Sequence, residues 1–331
     1  MPESALWVVI AVILLALAFD FFNGFNDAAN AIATVVATRA MTPAAAISMA
    51  AVLNLAGALS GTAVAKTVGK GIVDSDAITI EAVGAAAAAA AIWVLVASRM
   101  GLPVSGSHSL IGGLIGAGLG SGGFDVLVRS GIEKVALGLA FAPVAGILGG
   151  YLVMVLLLRL STRAGPGRIN ILFARLQVLS AGFMAFSHGS NDAQKTMGII
   201  TLALLAGGRI DEFEVPLWVI FLSGITIAIG TATGGRKVMS TLGRRIARLR
   251  TIDGFAAETT AASIIESASR LGFPLSTTHV ITSGILGVGA TQRLSAVRWG
   301  VAWQIATAWI LTFPITIIMG GVLAFLAEQF L

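Results

Sequence analysis

The stretch GFNDAANA (24–31) stands one residue after the apolar run LWVVIAVILLALAFDFF (6–22). A membrane-spanning helix takes about 20 residues, so the run together with the start of this stretch is long enough to cross a bilayer. A carboxylate at membrane depth is costly, and Asp27 therefore needs either a partner or a function. The polar residues directly behind the first apolar run predict a buried polar site.

The composition of the whole chain indicates a membrane protein. Of the 331 residues, 56% are hydrophobic and 11% are charged, whereas ordinary soluble domains carry about 25% charged residues. The apolar residues form blocks at 6–22, 43–59, 82–97, 135–158, 171–186, 217–232 and 296–327. We therefore predict an all-α polytopic membrane protein. Short segments of alternating polarity, which an outer-membrane barrel requires, are absent from the sequence.

Two acid-free basic loops predict the orientation of the chain. One contains Arg159, Arg163 and Arg168, and the other is residues 236–250. The positive-inside rule makes both loops cytoplasmic. Both termini lack Lys and Arg, so we expect both to lie outside the cell membrane. No motif for nucleic-acid binding accompanies the basic residues. The chain has no cysteine, which excludes disulfides and thiolate metal sites.

The opening motif occurs twice in the chain. GFNDAAN (24–30) recurs in the second half as GSNDAQK (189–195). A second motif, SRMGLPVSGSH (98–108), recurs as SRLGFPLSTTH (269–279), with six of the eleven positions identical. Two matches in the same order, both containing polar residues within apolar sequence, indicate an internal duplication.

The duplication divides the chain at its basic linker. We predict an N-terminal repeat at 1–158, a cytoplasmic linker at 159–170 and a C-terminal repeat at 171–331, which together form a single transport domain. With both termini outside and the linker inside, each half crosses the membrane an odd number of times. The halves then have inverted topologies, an architecture found in many secondary transporters, which hold the substrate at the midplane between the repeats.

The Asn-Asp motifs are candidate cation sites. Carboxylate and amide oxygens suit a hard cation such as sodium, and a proton can occupy the carboxylate instead. The candidates for cation coupling are Asn26, Asp27, Asn30, Asn191, Asp192 and Lys195, with Asp27 and Asp192 as the metal ligands if sodium is the ion. Gly24 and Gly189 precede these motifs and would allow a helix break or turn that exposes backbone carbonyls as further ligands. The alternative is that these polar groups only join helices by hydrogen bonds.

The second pair of motifs predicts two half-helices that begin inside the membrane. Each motif has Gly-x-Pro followed by hydroxyl residues, which is typical of a helix start. The apolar stretches that follow are about 12 residues long, as in a re-entrant hairpin. Free N–H groups at such a start, together with hydroxyl donors, suit an oxyanion such as phosphate. The candidate phosphate-binding residues are Ser105, Ser107, Ser276, Thr277 and Thr278. The alternative is that they are ordinary helix caps.

The string GFNDAANA together with FSHGSNDAQKTMGII (186–200) resembles the paired signatures of the inorganic phosphate transporter family, often called PiT, and particularly its bacterial low-affinity members. The resemblance covers essentially the whole chain. It implies inverted repeats, two re-entrant hairpins, and phosphate import driven by sodium or protons, sometimes as a metal–phosphate complex. No cofactor is implied. The family also includes sulfate permeases.

The resemblance also implies roles for particular residues. The signature carboxylates correspond to Asp27 and Asp192, and the hairpin hydroxyls correspond to Ser105, Ser107, Thr277 and Thr278. Family members carry an acidic residue in the helix before each hairpin, for which Glu81 and Glu258 are the candidates.

The two halves differ at one position of the Asn-Asp motif. Lys195 stands where the first half has Asn30, and its ammonium group would take the place of a sodium ion, which favours proton coupling. The alternative is that Lys195 reaches the membrane surface. The matched His108 and His279, and His188, which has no histidine counterpart, are candidates for gating or proton transfer. The alternative is that His108 and His279 are uncharged and hydrogen-bonded to a helix end, and that His188 caps a turn.

The sequence therefore predicts a secondary transporter that imports inorganic phosphate by cation symport and alternating access. The alternatives are a sulfate or other oxyanion permease, an anion channel, and an intramembrane aspartyl protease. A protease would need neither the Asn residues nor the two hydroxyl-rich helix starts. A channel also uses broken helices. Small-residue helix faces permit a homodimer.

Overall fold

The computed structural model describes residues 6–163, 165–234 and 236–330. This part of the chain is helical and contains no β-strand. Its α-helices are α1 (Leu6–Ala37), α2 (Pro43–Ala58), α3 (Ala63–Gly71), α4 (Ile80–Met100), α5 (Gly106–Gly122), α6 (Arg129–Leu160), α7 (Pro166–Ala206), α8 (Leu217–Thr233), α9 (Arg236–Ser240), α10 (Thr251–Arg270), α11 (Thr277–Gln292) and α12 (Trp299–Phe330).

Several of these helices are suited to cross a membrane. Within the described ranges, α1, α4, α6, α7 and α12 are long and apolar enough to do so. Two bent pairs, α2 with α3 at 68° and α8 with the segment Lys237–Gly243 at 65°, raise the number to as many as seven if each pair is one span. Many large apolar side chains, mostly Leu, Ile, Val and Phe, are exposed on the helices, as expected for contact with lipid. The chain is a multi-pass membrane protein, as its composition predicts.

The same order of elements occurs in each half of the chain. A long helix is followed by a bent pair, a hairpin of two helices, and a second long helix, first in α1–α6 and then in α7–α12. The segment between the halves is shorter than predicted, because α6 extends to Leu160 and α7 begins at Pro166. Pro166 takes the first position of α7, where its fixed φ and missing N–H fit a helix start. The predicted linker residues 166–170 are therefore helical.

The two halves are interleaved rather than side by side. The last helix of each half packs along the hairpin of the other, α6 on α11 and α12 on α5. The first helix of each half likewise packs along the bent pair of the other, α1 on α8 and α7 on α2. Neither half could bury its own polar centre alone, so the chain forms one structural unit.

The helices α1 and α7 run antiparallel through the centre of the protein. Thr196 donates to Asp20 at 2.8 Å, and Asn23 donates to Asp192 at 3.2 Å. The residue numbers of the contacting residues rise along α1 and fall along α7. The series ends just after α1 at Thr38, whose hydroxyl donates to the side-chain oxygen of Gln177 at 2.7 Å. Antiparallel matched helices are what inverted repeats require, and this geometry supports that prediction.

The expectation that Gly24 and Gly189 break their helices is wrong. Both α1 and α7 continue as helix through these positions. The glycines instead permit close helix packing. A Cβ at Gly24 would lie 2.5 Å from the carbonyl oxygen of Ile227, and one at Gly189 would lie 2.0 Å from that of Asn54. Small residues at such crossings let helix backbones approach each other in a membrane.

Each hairpin turns at a glycine in the left-handed conformation. Gly101 (φ 74°) and Gly272 (φ 72°) occupy matched positions just after α4 and α10. This conformation carries no steric penalty for glycine and is a common way to end a helix. The returning helices α5 and α11 have 17 and 16 residues, longer than predicted because helix continues through the Gly-rich sequence behind each motif.

Candidate functional site

The helices α5 and α11 begin inside the protein with matched caps. The hydroxyl of Ser105 accepts a hydrogen bond from the backbone N–H of His108 at 3.1 Å. Ser276 accepts from the N–H of His279 at 3.2 Å. All four residues are buried. The two helix starts therefore have the cap geometry that their sequences predict, and their positive dipole ends lie in the protein interior.

The two hairpin tips bind each other through reciprocal hydrogen bonds. Ser107 donates to the main-chain carbonyl of Leu275 at 2.8 Å. Its counterpart Thr278 lies 3.1 Å from the carbonyl oxygen of Val104, which is the counterpart of Leu275. The same exchange thus occurs in both directions across the contact. The tips of the two hairpins meet at one place in the protein, although they belong to opposite halves of the sequence.

Both signature carboxylates lie at this meeting point. The hydroxyl oxygen of Thr277 is 3.3 Å from Oδ2 of Asp27 and 3.1 Å from Oδ2 of Asp192. The hydroxyl oxygen of Thr278 is 3.1 Å from Oδ1 of Asp27. Each aspartate is 1% exposed. The structure therefore brings the predicted cation site and the predicted anion site together, so that an anion and a cation bound here would be direct neighbours.

The asparagine before each aspartate makes a matched contact. Asn26 donates to the hydroxyl of Ser98 at 2.8 Å, and Asn191 donates to that of Ser269, also at 2.8 Å. The side-chain carbonyl oxygens of both asparagines are buried and have no hydrogen-bond partner among the described residues. Buried polar atoms usually have a partner, so these two oxygens are available to a ligand.

His188 lies between the two carboxylates. Its Nε2 is 3.2 Å from Oδ2 of Asp192 and 3.6 Å from Oδ2 of Asp27, while Nδ1 is 3.0 Å from the side-chain oxygen of Asn54. Ligand atoms of Asp27, His188 and Asp192 all lie within 4.8 Å of one another. This group has suitable donor atoms and spacing for a metal ion. In the first half the matched position is Asn23, which contacts Asp192.

Lys195 is fully buried and does not reach the membrane surface. Its ammonium group contacts Oδ1 of Asp192 and donates to the main-chain carbonyl of Leu275 at 3.1 Å. The matched residue Asn30 donates instead to the hydroxyl of Thr278 at 2.9 Å, and its own side-chain oxygen has no partner in the described part of the chain. The centre of the protein is therefore asymmetric in charge.

The two candidate glutamates have different surroundings. Glu258 is buried in α10 and accepts hydrogen bonds from the hydroxyls of Thr34 and Ser180, with Gln177 at 3.4 Å. It lies between α1, α7 and α10, beside the polar centre. Glu81 is half-buried in the first turn of α4.

Glu81 is not brought to the site. It lies at the start of α4, whereas Ser98, the residue of α4 that contacts Asn26, lies in the last turn of the same helix. The two positions are separated by about 25 Å along the helix. The residue of α4 that corresponds to Glu258 in the repeat is Ala87. The first half therefore has no glutamate at the matched position.

The histidines of the two hairpins meet beside the tips. The rings of His108 and His279 are 4.5 Å apart between centroids, and Trp309 stacks on His279 at 3.8 Å. Trp309 also donates to the main-chain carbonyl of Pro103 at 3.1 Å. These rings form a packed layer next to the hydroxyl residues rather than contacting the carboxylates.

Some site residues were not singled out from the sequence. Ser98 and Ser269 were missed, although each is the first identical position of the repeated hairpin motif. Asn23 was missed as well. It occupies the position in the first repeat that His188 occupies in the second, and this correspondence could have indicated a site residue. The backbone carbonyls of Val104 and Leu275 carry no signal in the sequence, because only the meeting of the hairpins gives them a role.

Comparison with known proteins agrees with this arrangement. A model of the phosphate transporter family matches residues 23–167 and 161–320, so that each half of the chain is matched. A probable low-affinity inorganic phosphate transporter of Rhizobium meliloti (strain 1021) is 42% identical over 323 residues, which are 97% of this chain and 97% of that protein. A protein of the same description from Bacillus subtilis (strain 168) is 39% identical over 332 residues, which are 99% of each chain.

A solved structure is also similar to this one. It is described as the sodium-dependent phosphate transporter, and it aligns with a TM-score of 0.91 at 26% sequence identity, covering 98% of this chain and 100% of that chain. Nearly all residues of this chain are therefore aligned with that structure. The chain belongs to the phosphate transporter family.

Proposed function

We propose that this protein imports inorganic phosphate across the plasma membrane by symport with a cation, through alternating access to a site between its two halves. The observation that carries the proposal is the position of Thr277 and Thr278. Their hydroxyls stand at the start of α11 and contact the carboxylates of Asp27 and Asp192. A group that binds an anion and a group that binds a cation are thus in direct contact.

The anion would bind at the two helix starts. Free N–H groups at the first turn of a helix and the positive end of its dipole favour phosphate. The hydroxyls of Ser107 and Thr278 now contact main-chain carbonyls of the opposite hairpin. Phosphate would replace those acceptors. Ser105 and Ser276 cap their own helices, and their role would be to hold the helix starts in position.

The cation would bind beside Asp27. The carboxylate of Asp27 and the unpartnered side-chain oxygens of Asn26 and Asn30 form a set of hard oxygen donors, all buried. Sodium prefers such donors. A divalent oxyanion cannot lie next to two aspartates without compensating charge, so a bound cation would make anion binding favourable and coupling would follow. The similar solved structure is described as sodium-dependent, which supports a cation partner. A proton on Asp27 remains the alternative ion.

Alternating access would require the hairpin tips to move relative to the long helices. In the present arrangement the tips are joined by hydrogen bonds and the site is buried. The antiparallel α1 and α7, and the interleaved packing of the halves, support inverted repeats that rock or slide about the site. We propose an orientation in which both termini are outside and the basic loops are in the cytoplasm. The homodimer also stays a prediction.

A second candidate substrate is a metal–phosphate complex. It is favoured by the spacing of Asp27, His188 and Asp192, whose ligand atoms lie within 4.8 Å of one another. The sulfate permease remains an alternative within the same fold. The intramembrane protease has no such support, because the similar proteins are described as transporters.

The substrate is tested by uptake of radiolabelled phosphate into proteoliposomes that contain the purified protein. We expect uptake that excess unlabelled phosphate suppresses and excess unlabelled sulfate does not. Repeating the assay with and without Mg²⁺ tests the metal complex, which requires the divalent ion for uptake. Suppression by sulfate at equal concentration, or no phosphate uptake at all, would contradict phosphate as the substrate.

A further inference from the structure

The two Asn-Asp motifs provide one aspartate each, and of these two only Asp192 contacts a lysine. Asp192 contacts the ammonium of Lys195 three residues further along α7. Asp27 has Asn30 at the matched position, and none of the described residues places an ammonium or guanidinium group against it. The nearest ionisable partner of Asp27 besides Asp192 is the ring of His188, at 3.6 Å.

Lys195 contacts the groups that a metal ion would use in the second half. Its ammonium bridges a carboxylate oxygen of Asp192 and the main-chain carbonyl of Leu275 at the hairpin tip. Carboxylate and backbone carbonyl oxygens at a helix break are common sodium ligands in transporters. The ammonium is fully buried, so it serves this pair of oxygens rather than solvent.

The first half has the same oxygens without a fixed cation. Its hairpin carbonyl belongs to Val104, the counterpart of Leu275, and it lies near the Asp27 carboxylate because Thr278 contacts both. The side-chain oxygens of Asn26 and Asn30 are two further possible metal ligands, and neither has a hydrogen-bond partner among the described residues. Both oxygens are buried hydrogen-bond acceptors that receive no hydrogen bond, and a cation from solution would give them a partner.

We infer that Lys195 is a built-in cation that replaces one of two coupling ions, so that a single ion from solution, bound beside Asp27, accompanies each phosphate. This inference rests on the proposed symport and adds its stoichiometry. A tethered ammonium neutralises Asp192 throughout the transport cycle. Because this charge stays in the protein, neutralising Asp192 uses none of the ion gradient. For the same reason it adds no driving force, so a given gradient can drive less accumulation of phosphate than two coupling ions would.

The matched residues supply a reciprocal pair of variants. Lys195→Asn gives the second half the side chain of the first, and we expect it to create a second ion site at Asp192. Asn30→Lys gives the first half the side chain of the second, and we expect it to remove the remaining ion site and uncouple phosphate from the gradient. Lys66→Asn removes an exposed lysine of α3 and serves as the control.

The test measures phosphate accumulation at equilibrium in proteoliposomes, with the membrane potential held at zero by valinomycin and equal potassium on both sides. With a tenfold gradient of the coupling ion, one ion per phosphate supports about tenfold accumulation of the transported ionic form of phosphate, and two ions support about 100-fold. We expect the lower value for the wild-type protein and for Lys66→Asn, and the higher value for Lys195→Asn. Equal values for wild type and Lys195→Asn, or the higher value for the wild type, would overturn the inference.

Ion binding provides a second measurement if Lys195→Asn does not transport. The ions bound per purified protein at saturating phosphate are counted, with labelled sodium or, for proton coupling, with a pH indicator in weakly buffered solution. We expect one more ion in Lys195→Asn than in the wild type, and an unchanged count would overturn the inference. A wild-type protein that never accumulates phosphate under any gradient would instead contradict the proposed symport, whatever the variant does.

Discussion

The ring of His108 lies edge-on to the ring of His279, with 4.5 Å between their centroids. These two histidines occupy the same position in the two copies of the hairpin motif, yet they belong to opposite halves of the chain. Their contact, together with the hydrogen bonds of Ser107 and Thr278, joins the tips of the two hairpins. The site of the protein is therefore built from parts that are distant in its sequence.

If transport requires the tips to separate, joining them covalently should stop it. The chain has no cysteine, so the double variant His108→Cys/His279→Cys introduces the only two thiols. We expect a short, cleavable reagent that links the two thiols to abolish phosphate uptake, and cleavage of the link to restore it. Each single cysteine variant is the control. Full uptake by quantitatively cross-linked protein would show that the tips move as one body or not at all.

Replacing either signature aspartate should abolish phosphate uptake, but only one of the two replacements should lower the stability of the protein. Asp27→Asn and Asp192→Asn should each reduce phosphate uptake to the level of protein-free liposomes, because each removes a charge at the junction of the two hairpins. Asp192→Asn also leaves the buried ammonium of Lys195 without its carboxylate. Removing one member of a buried ion pair costs about 3–5 kcal/mol.

We therefore expect a lower melting temperature for Asp192→Asn and a melting temperature near that of the wild type for Asp27→Asn. Thermal unfolding of the purified proteins in detergent measures this difference. Normal uptake by either variant would contradict the coupling role of the aspartates, and equal melting temperatures would contradict the ion pair with Lys195.

The hydroxyl of Thr278 should matter because of its position and not because it is a buried threonine. Thr278→Val keeps the shape of the side chain but removes the hydroxyl that would donate to the bound phosphate. A hydrogen bond to a charged group contributes about 1.5–3 kcal/mol. We expect the KM for phosphate to rise by about tenfold or more. Thr282→Val is a matched control, since Thr282 is buried one turn further along α11 and its hydroxyl has no partner in the described structure. A similar rise in both variants would argue against a role at the tip.

The two candidate glutamates should respond differently to substitution. Glu258→Gln weakens the acceptor for the hydroxyls of Thr34 and Ser180 beside the polar centre, and we expect it to impair phosphate uptake. Glu81→Gln lies about 25 Å along α4 from the contact between Ser98 and Asn26, and should leave uptake unchanged. Uptake assays with matched amounts of inserted protein compare the two. Loss of uptake in Glu81→Gln alone would reverse this assignment.

The signature glycines should be required for packing. Gly24→Ala and Gly189→Ala place a Cβ at 2.5 Å or less from a backbone carbonyl oxygen of the crossing helix. Overpacking of this kind costs about 1–3 kcal/mol, so we expect lower melting temperatures in detergent. Gly167→Ala, in the exposed first turn of α7 with no atom within 4 Å of the added Cβ, is the control. Unchanged melting in the first two variants would contradict the close crossing.

Much of this architecture could be predicted from the repeated motifs. Polarity and spacing indicated the spans, the two halves and the hairpin starts at Ser105 and Ser276, because a helix cap is a local property. The role of Gly24 and Gly189 was misjudged, since a glycine inside an apolar helix is equally suited to a break and to a close crossing. Only the position of the neighbouring helix decides between them.

Contacts between helices that are distant in the sequence could not be predicted for the same reason. Asn30 and Lys195 could be matched by position, but nothing local indicated that the ammonium would reach the carbonyl of Leu275 in the opposite arm of the same half. Glu81 was the candidate because the family resemblance implies an acidic residue in the helix before each hairpin, and Glu81 lies in α4. By the offset between the two hairpin motifs, the residue that matches Glu258 is Ala87, so this part of the site is not symmetric.

The central claim is that phosphate moves together with a cation bound at the junction of the hairpins. It is tested most directly by radiolabelled phosphate uptake into proteoliposomes under an imposed sodium gradient, an imposed proton gradient, or neither. We predict accumulation above the outside concentration under one of the two gradients, and loss of that accumulation in Asp27→Asn. Uptake that only equilibrates under every condition would contradict coupled transport and indicate a channel or uniporter.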